Sequence, residues 1–142
     1  MTLALLVAVP SSYFARARQR SAAKRPGVTG TYVLKLRKGA GGTLPVKQLS
    51  PDKIEFDLDC NRGAPSYNMG AARGTVEFKD NVAVYQTSEF GGSCELKFEF
   101  KRSSVVVTQK GSDFECGYGH GVSSDGTYRL KSRKSPKFEE RN

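Results

Sequence analysis

The chain has 142 residues, enough for one domain with tails and a single modest core. Its net charge is +9, but residues 1–28 hold five cations and no acid, residues 29–130 hold 13 basic and 12 acidic side chains, and residues 131–142 hold five basic and two acidic. A nucleic-acid reader needs its basic stripe on the folded surface, so specific nucleic-acid recognition is not expected; the basic tails imply only weak, salt-sensitive attraction to polyanions.

In chain order, Leu3–Val9 (LALLVAV) is apolar but far too short to span a bilayer as a helix, and no transmembrane segment is expected. With Ala15-Arg16-Ala17 behind it, it resembles the later part of a secretory signal, although a basic n-region is missing and an Arg sits inside the cleavage motif. Residues 1–28 are therefore read as a signal-like or disordered basic extension outside the fold. The signal reading places the protein in the periplasm or outside the cell.

From Gly30 onward the dominant period is two, the mark of half-buried strands. A first strand over 30–37 opens with GTYVLK, and Gly39–Gly42 (GAGG) reads as a flexible connection, because a phosphate cradle would need a following helix. A strand over 43–48 then meets one over 53–59 across a loop at Ser50-Pro51-Asp52, setting Val46 opposite Phe56 and Leu44 opposite Leu58. In the second of these Ile54, Phe56 and Leu58 face in, while Glu55, Asp57 and Asp59 face out. The stretch Cys60–Gly74 reads as a long loop carrying Arg62, Tyr67, Asn68 and Arg73, types suited to partner contact.

Strands over 70–79 and 82–88 join across Asp80-Asn81, with Phe78 opposite Ala83 and Val76 opposite Tyr85; Asp-Asn suits a two-residue turn of positive φ. Strands over 94–101 and 104–110 set Phe98 opposite Val107 and Phe100 opposite Val105. The last strand, 126–131, reads GTYRLK and matches GTYVLK at five of six positions; paired first and last strands would close a barrel. The fold expected over 29–131 is all-β, a small antiparallel up-and-down barrel of about eight strands, with a β-sandwich as the alternative and residues 132–142 as a disordered basic tail. Leu34, Leu44, Val46, Phe56, Leu58, Phe78, Tyr85, Leu96, Phe98 and Val107 are the expected core, bulky enough to fill a small barrel.

Three cysteines cannot all pair within one chain. The hairpin register puts Cys94 opposite Gly111, and the loop Ser112–Glu115 can fold Cys116 back over it, closing a loop of about 22 residues worth roughly 3 kcal/mol. Cys60, at the end of a strand, is then a free thiol, a partial partner or an intermolecular one, with an unpaired structural role preferred. The segment Cys116–Gly121 (CGYGHG) offers one Cys and one His, short of a structural zinc set, so no metal is expected. A bridged Cys116 is no nucleophile, which leaves Tyr118 and His120 as residues of an exposed loop and binding candidates. Asp57 and Asp59 are about 6.5–7 Å apart along one face, near glycosidase spacing, but they face away from the apolar pocket that would raise a carboxyl pKa.

The segments NMGAARGTVEF, NVAVY, CELKFEF, VVVTQKGSDFECGYGHGV and DGTYRLK together resemble a group of small exported bacterial proteins. In that group a first Cys opens a strand, and a second sits in a C-G-[FY]-G-x-x-V segment ahead of a [DN]-G-x-Y strand. The resemblance covers about residues 30–131. It implies Cys94 and Cys116 as the bridged pair, leaves Cys60 outside the pattern, and carries a loose likeness to lysozyme inhibitors. The expected function is a non-enzymatic envelope binding module without cofactor, partnered by an envelope protein or a hydrolase. The alternatives are a small-ligand carrier in the barrel and a hydrolase using the exposed carboxylates.

Overall fold

Alternation of apolar and charged side chains leaves a strand one face to bury, and a meander of such strands buries it by curling until its edges meet. The computed structural model describes residues 27–139. Within them lie β1 (Gly30–Lys35), β2 (Gly41–Ser50), β3 (Lys53–Asn61), β4 (Met69–Lys79), β5 (Val82–Thr87), β6 (Cys94–Phe100), β7 (Ser104–Lys110) and β8 (Gly126–Ser132). Each strand pairs antiparallel with its sequence neighbour, and β8 returns to β1, so the sheet is a closed eight-strand barrel rather than a sandwich.

The hairpin registers follow from face matching: Val46 pairs with Phe56, Phe78 with Ala83, Phe98 with Val107 and Phe100 with Val105. Asp80 and Asn81 take φ of 52° and 63°, as a tight hairpin turn requires. The β4–β5 ladder holds only Phe78–Ala83 and Lys79–Val82; Val76 and Tyr85, expected to oppose each other, lie beyond it, partly buried against the core. Gly41 and Gly42 extend β2 instead of forming a loose connection, pairing with Lys35 and Leu34 on one side and Asn61 and Cys60 on the other.

The interior is filled. Tyr32, Tyr128, Phe56 and Phe98 are each under 2% exposed, and Phe56–Phe98 and Phe78–Phe100 rings meet at 4.8 and 5.4 Å. Small residues make the room: a Cβ on Gly42 would lie 2.9 Å from the Tyr128 hydroxyl, and one on Gly74 would lie 3.2 Å from the Tyr85 ring. The outer wall is charged, with Lys97–Glu99 and Lys110–Glu95 ion pairs at 3.4 Å. That is the reverse of a lipid-facing barrel, which needs an apolar outer band. Among the described residues, no helix is long and apolar enough to cross a membrane.

The repeated GTY has a structural meaning. The Tyr32 hydroxyl donates to the Val28 carbonyl at 2.8 Å, and the Tyr128 hydroxyl donates to the Ser124 carbonyl at 3.1 Å, each four residues upstream. The glycine two positions ahead faces the opposite strand of the β1–β8 seam. A Cβ on Gly30 would lie 2.5 Å from the Ser132 carbonyl, and one on Gly126 would lie 2.8 Å from Leu34. Because the strands are antiparallel, the same device plugs the two ends of the barrel.

Those ends differ. Three short turns (51–52, 80–81 and 101–103) and the free ends of β1 and β8 gather at one, the turn end. Four longer connections (36–40, 62–68, 88–93 and 111–125) gather at the other, the loop end. Residues 133–139, expected to be a disordered tail, instead make contacts with the barrel. Arg133 donates to the carbonyls of Gly27 and Arg102, both at 2.7 Å, and Phe138 lies 5.3 Å under the Arg73 guanidinium on the outer face of β4. The signal-like reading of residues 1–28 falls almost wholly outside the described residues.

Candidate binding surface

The last long connection is built by a local device. In Ser112-Asp113-Phe114-Glu115 the Ser112 hydroxyl accepts from the Glu115 N–H at 3.1 Å, and the Glu115 carboxylate accepts from the Ser112 N–H at 2.7 Å. This reciprocal cap starts a single helical turn, closed by the Cys116 N–H on the Ser112 carbonyl at 3.1 Å. The turn delivers Cys116 to Cys94, and the two are disulfide-bonded with Cα atoms 5.0 Å apart. Asp113 then ties the outgoing chain, accepting from the Phe114 and Gly121 amides. Those two donors, Gly121 first, hold its carboxyl below the ordinary Asp range.

Three of the residues singled out in the sequence meet here. The His120 carbonyl accepts from Arg62 Nη1 at 3.1 Å and from Asn68 Nδ2 at 2.9 Å. Its side chain is 92% exposed, with Nδ1 3.7 Å from the Asp113 carboxylate. The neighbouring connections lock in too: the Gly119 N–H donates to the Met69 carbonyl at 2.8 Å, and the Ala64 N–H to the Lys38 carbonyl at 2.9 Å. Gly117 lies against the Phe90 ring, and Gly39 against the Tyr67 ring. Four loops thus form one continuous end surface.

Most of the large apolar side chains the barrel leaves exposed are on that surface: Leu36, Tyr67, Met69, Phe90 and Phe114, the last 72% exposed. A cleft of about 500 Å³ opens at its rim, lined by Leu36, Met69, Lys35, Gly39 and Asn61 among others. Sequence reasoning missed Leu36, Phe90 and Phe114. Phe90 and Phe114 sit among Gly, Ser and Asp, where an aromatic has no strand pattern to join, and that isolation was the available signal.

Two expected members are elsewhere. Tyr118 is buried rather than exposed, its ring covering Gly70, where a Cβ would lie 2.5 Å from Tyr118 Cγ. Its hydroxyl has no hydrogen-bond partner; Ser124 is near it without closing a bond of normal geometry. Arg73 is on the outer wall of β4, in the strand expected over 70–79 and not in the overlapping Cys60–Gly74 loop, with Ala72 paired to Leu58. Its guanidinium is 3.5 Å from Glu55.

Chemistry is poorly served. Asp57 and Asp59 are on the outer face of β3, and only Asp59 reaches the rim cleft. Among the described residues no group of three metal-ligating side chains converges. Cys60 is buried inside β3, its thiol 3.6 Å from the Gly70 carbonyl. Desolvation, with Asp59 nearby, pushes that thiol up to about 12. Without reductant, a disulfide-exchange reagent such as Ellman's reagent is expected to titrate no thiol in the folded protein and one after guanidinium unfolding. Fast reaction of the folded protein would contradict the buried assignment.

No family model matches the chain, and comparison with curated proteins and with solved structures finds no match.

Proposed function

We propose that the protein is a non-enzymatic binding module of the cell envelope, periplasmic or extracellular, whose loop end holds a protein partner. One observation carries the reading: exposed Tyr67, Met69, Phe90 and Phe114 share one surface with Arg62 and His120, and that surface is braced by a disulfide. Rigid aromatics beside Arg are the composition of interface hot spots, and their mounting on cross-linked loops lowers the ordering cost of binding. The disulfide supports an oxidising compartment. The motif resemblance supports the same family of roles and names a hydrolase of the lysozyme type as the partner to try first. Such an enzyme has a cleft with paired carboxylates, which Arg62 would complement.

A muramidase inhibition assay and a pull-down from envelope extract test this together. Specific retention of an envelope protein or inhibition supports the reading, and failure of both sinks it. Tyr67→Ala with Phe114→Ala is expected to weaken the retained complex about tenfold or more and to leave Tm within about 2 °C, since both rings lie outside the core. Calorimetric titration and thermal melts read the two effects. A carrier role is disfavoured by the interior, where Tyr32, Tyr128, Phe56 and Phe98 occupy the space a ligand would need.

A further inference from the structure

The seam where β8 closes on β1 is irregular at both ends. Its ladder holds Thr31–Ser132, Tyr32–Leu130 and Val33–Arg129. Between the first two pairs the register slips by one residue, so Lys131 is an extra residue in β8, a bulge of the kind that bends a strand and re-aims its side chains. Beyond Val33–Arg129 the ladder stops, and Leu34 and Lys35 pair only with Gly42 and Gly41 of β2. Leu34 is seated over Gly126, where a Cβ would lie 2.8 Å from it. The result is a cleft of about 420 Å³ in the outer wall. Its floor is aliphatic, built from Val33, Leu34 and Leu130, and at its mouth stand Lys35, Arg129 and Lys131, all three exposed.

The charge around this cleft is one-sided. Strands β7, β8, β1 and β2 are contiguous in the wall and none contains Asp or Glu; the acids of the strands are in β3, β4 and β6. Asp125, just ahead of β8, is turned to β7, where it accepts from the Gln109 N–H at 2.6 Å and from the Ser123 hydroxyl at 3.1 Å. The ion pairs among the described residues use Arg73, Lys97, Lys110 and His120 and leave the three cations of the mouth out. Two other clefts differ in this respect: the loop-end cleft is lined by Asp59 and the cleft beside Phe138 by Glu55, whereas the seam cleft has no acid in its lining.

We infer that the seam cleft binds a small amphipathic anion, a carboxylate carried on an acyl chain. The Arg129 fork and the Lys131 ammonium suit the carboxylate, and the aliphatic floor suits the chain. No aromatic side chain lines the cleft, so a nucleobase or other flat ring has nothing to stack on. A linear polyanion needs a track of free cations, and the other two in these four strands do not extend one: Lys110 is paired with Glu95 at 3.4 Å, and Lys47 is set opposite Glu55. The site is on the outer wall, separate from the filled interior and from the loop-end surface, so it stands without the partner-binding reading.

The test is titration of the full chain, labelled with nitrogen-15, with three probes at neutral pH: decanoate, acetate and decyltrimethylammonium. The first has both charge and chain, the second the charge alone, and the third the same chain with the opposite charge. Saturable shifts in the amides of 33–35 and 127–131 are expected with decanoate and not with the other two. Arg129→Gln with Lys131→Gln, both exposed, is expected to weaken decanoate binding about tenfold. Lys47→Gln with Lys110→Gln removes as much charge from the same wall away from the cleft, and is expected to leave the affinity within about twofold. Thr127→Arg adds a cation to the lining and is expected to tighten binding about threefold, a gain that misfolding would not produce. Four results would overturn the inference: shifts centred on another part of the barrel, an equal response to acetate or to the ammonium probe, undiminished binding in the Arg129/Lys131 variant, or an equal loss in the Lys47/Lys110 variant.

Discussion

A Cys94→Ala/Cys116→Ala double variant is expected to be about 3 kcal/mol less stable than the parent, with Tm lower by roughly 15 °C. The bridge closes a separation of 22 residues and crosses from the start of β6 to the loop after β7. Without it, the unfolded chain regains the freedom of that loop. In the folded state, the connection 111–125 keeps only Tyr118, Val122 and Ser124 as buried anchors. Thermal melts of the double variant, and of the parent with reductant, should agree. A drop below about 3 °C in both would show that the loop holds itself in place without the cross-link. The loss also reaches the binding surface, because Gly117, Gly119 and His120 are placed by the same connection.

Tyr118 is the other position of large effect, and two substitutions there should diverge. Tyr118→Ala removes the ring that covers Gly70 and leaves a cavity under the loop end, a cost of about 3–5 kcal/mol. Tyr118→Phe keeps the ring and deletes a buried hydroxyl that has no partner, so it is expected to be neutral or stabilising by about 1 kcal/mol. Urea unfolding measures both. A Phe variant as unstable as the Ala variant would mean that the hydroxyl has a partner. Burial also pushes the hydroxyls of Tyr32, Tyr118 and Tyr128 above their ordinary value of 10.0. The folded protein then keeps protons that the unfolded chain releases. This contribution to stability is complete below about pH 10 and is lost as pH rises through the raised values. The Phe variant should show a shallower alkaline loss than the parent.

The sequence carried the barrel plainly where the two faces of a strand differ in chemistry. Cys94–Phe100 alternates apolar and charged residues without exception, which leaves one possible facing and one register with β7. That register located the partner of Cys94. The sequence was ambiguous where the inward face is built from small residues, and a loop over Cys60–Gly74 overlapped the strand over 70–79. In β4, Gly70, Ala72 and Gly74 look like loop composition, yet Gly70 and Gly74 are the sites against which Tyr118 and Tyr85 pack. Nothing near them in the chain announces those rings, since Tyr118 comes from a connection far along the sequence. Arg73 fell both in the strand over 70–79 and in the loop candidate Cys60–Gly74, and Tyr118 was assigned to an exposed loop, for this one reason. The reciprocal cap of Ser112 and Glu115 is an S-x-x-E spacing that a strand-based reading passes over as plain loop. The contacts of Arg133 and Phe138 were not legible, because each depends on a face that only the finished barrel presents.

The closing seam has one more consequence. Every strand neighbours its sequence neighbour, β8 and β1 included, and the gap between Gly27 and Arg133 is spanned by a single side chain. In connectivity the domain is a ring, and its starting strand is one position on a cycle. A circular permutant that joined residues 27 and 133 through a short linker and opened at Asp80-Asn81 would keep every strand pair of the ring except the close tether between β4 and β5, the shortest ladder in the barrel.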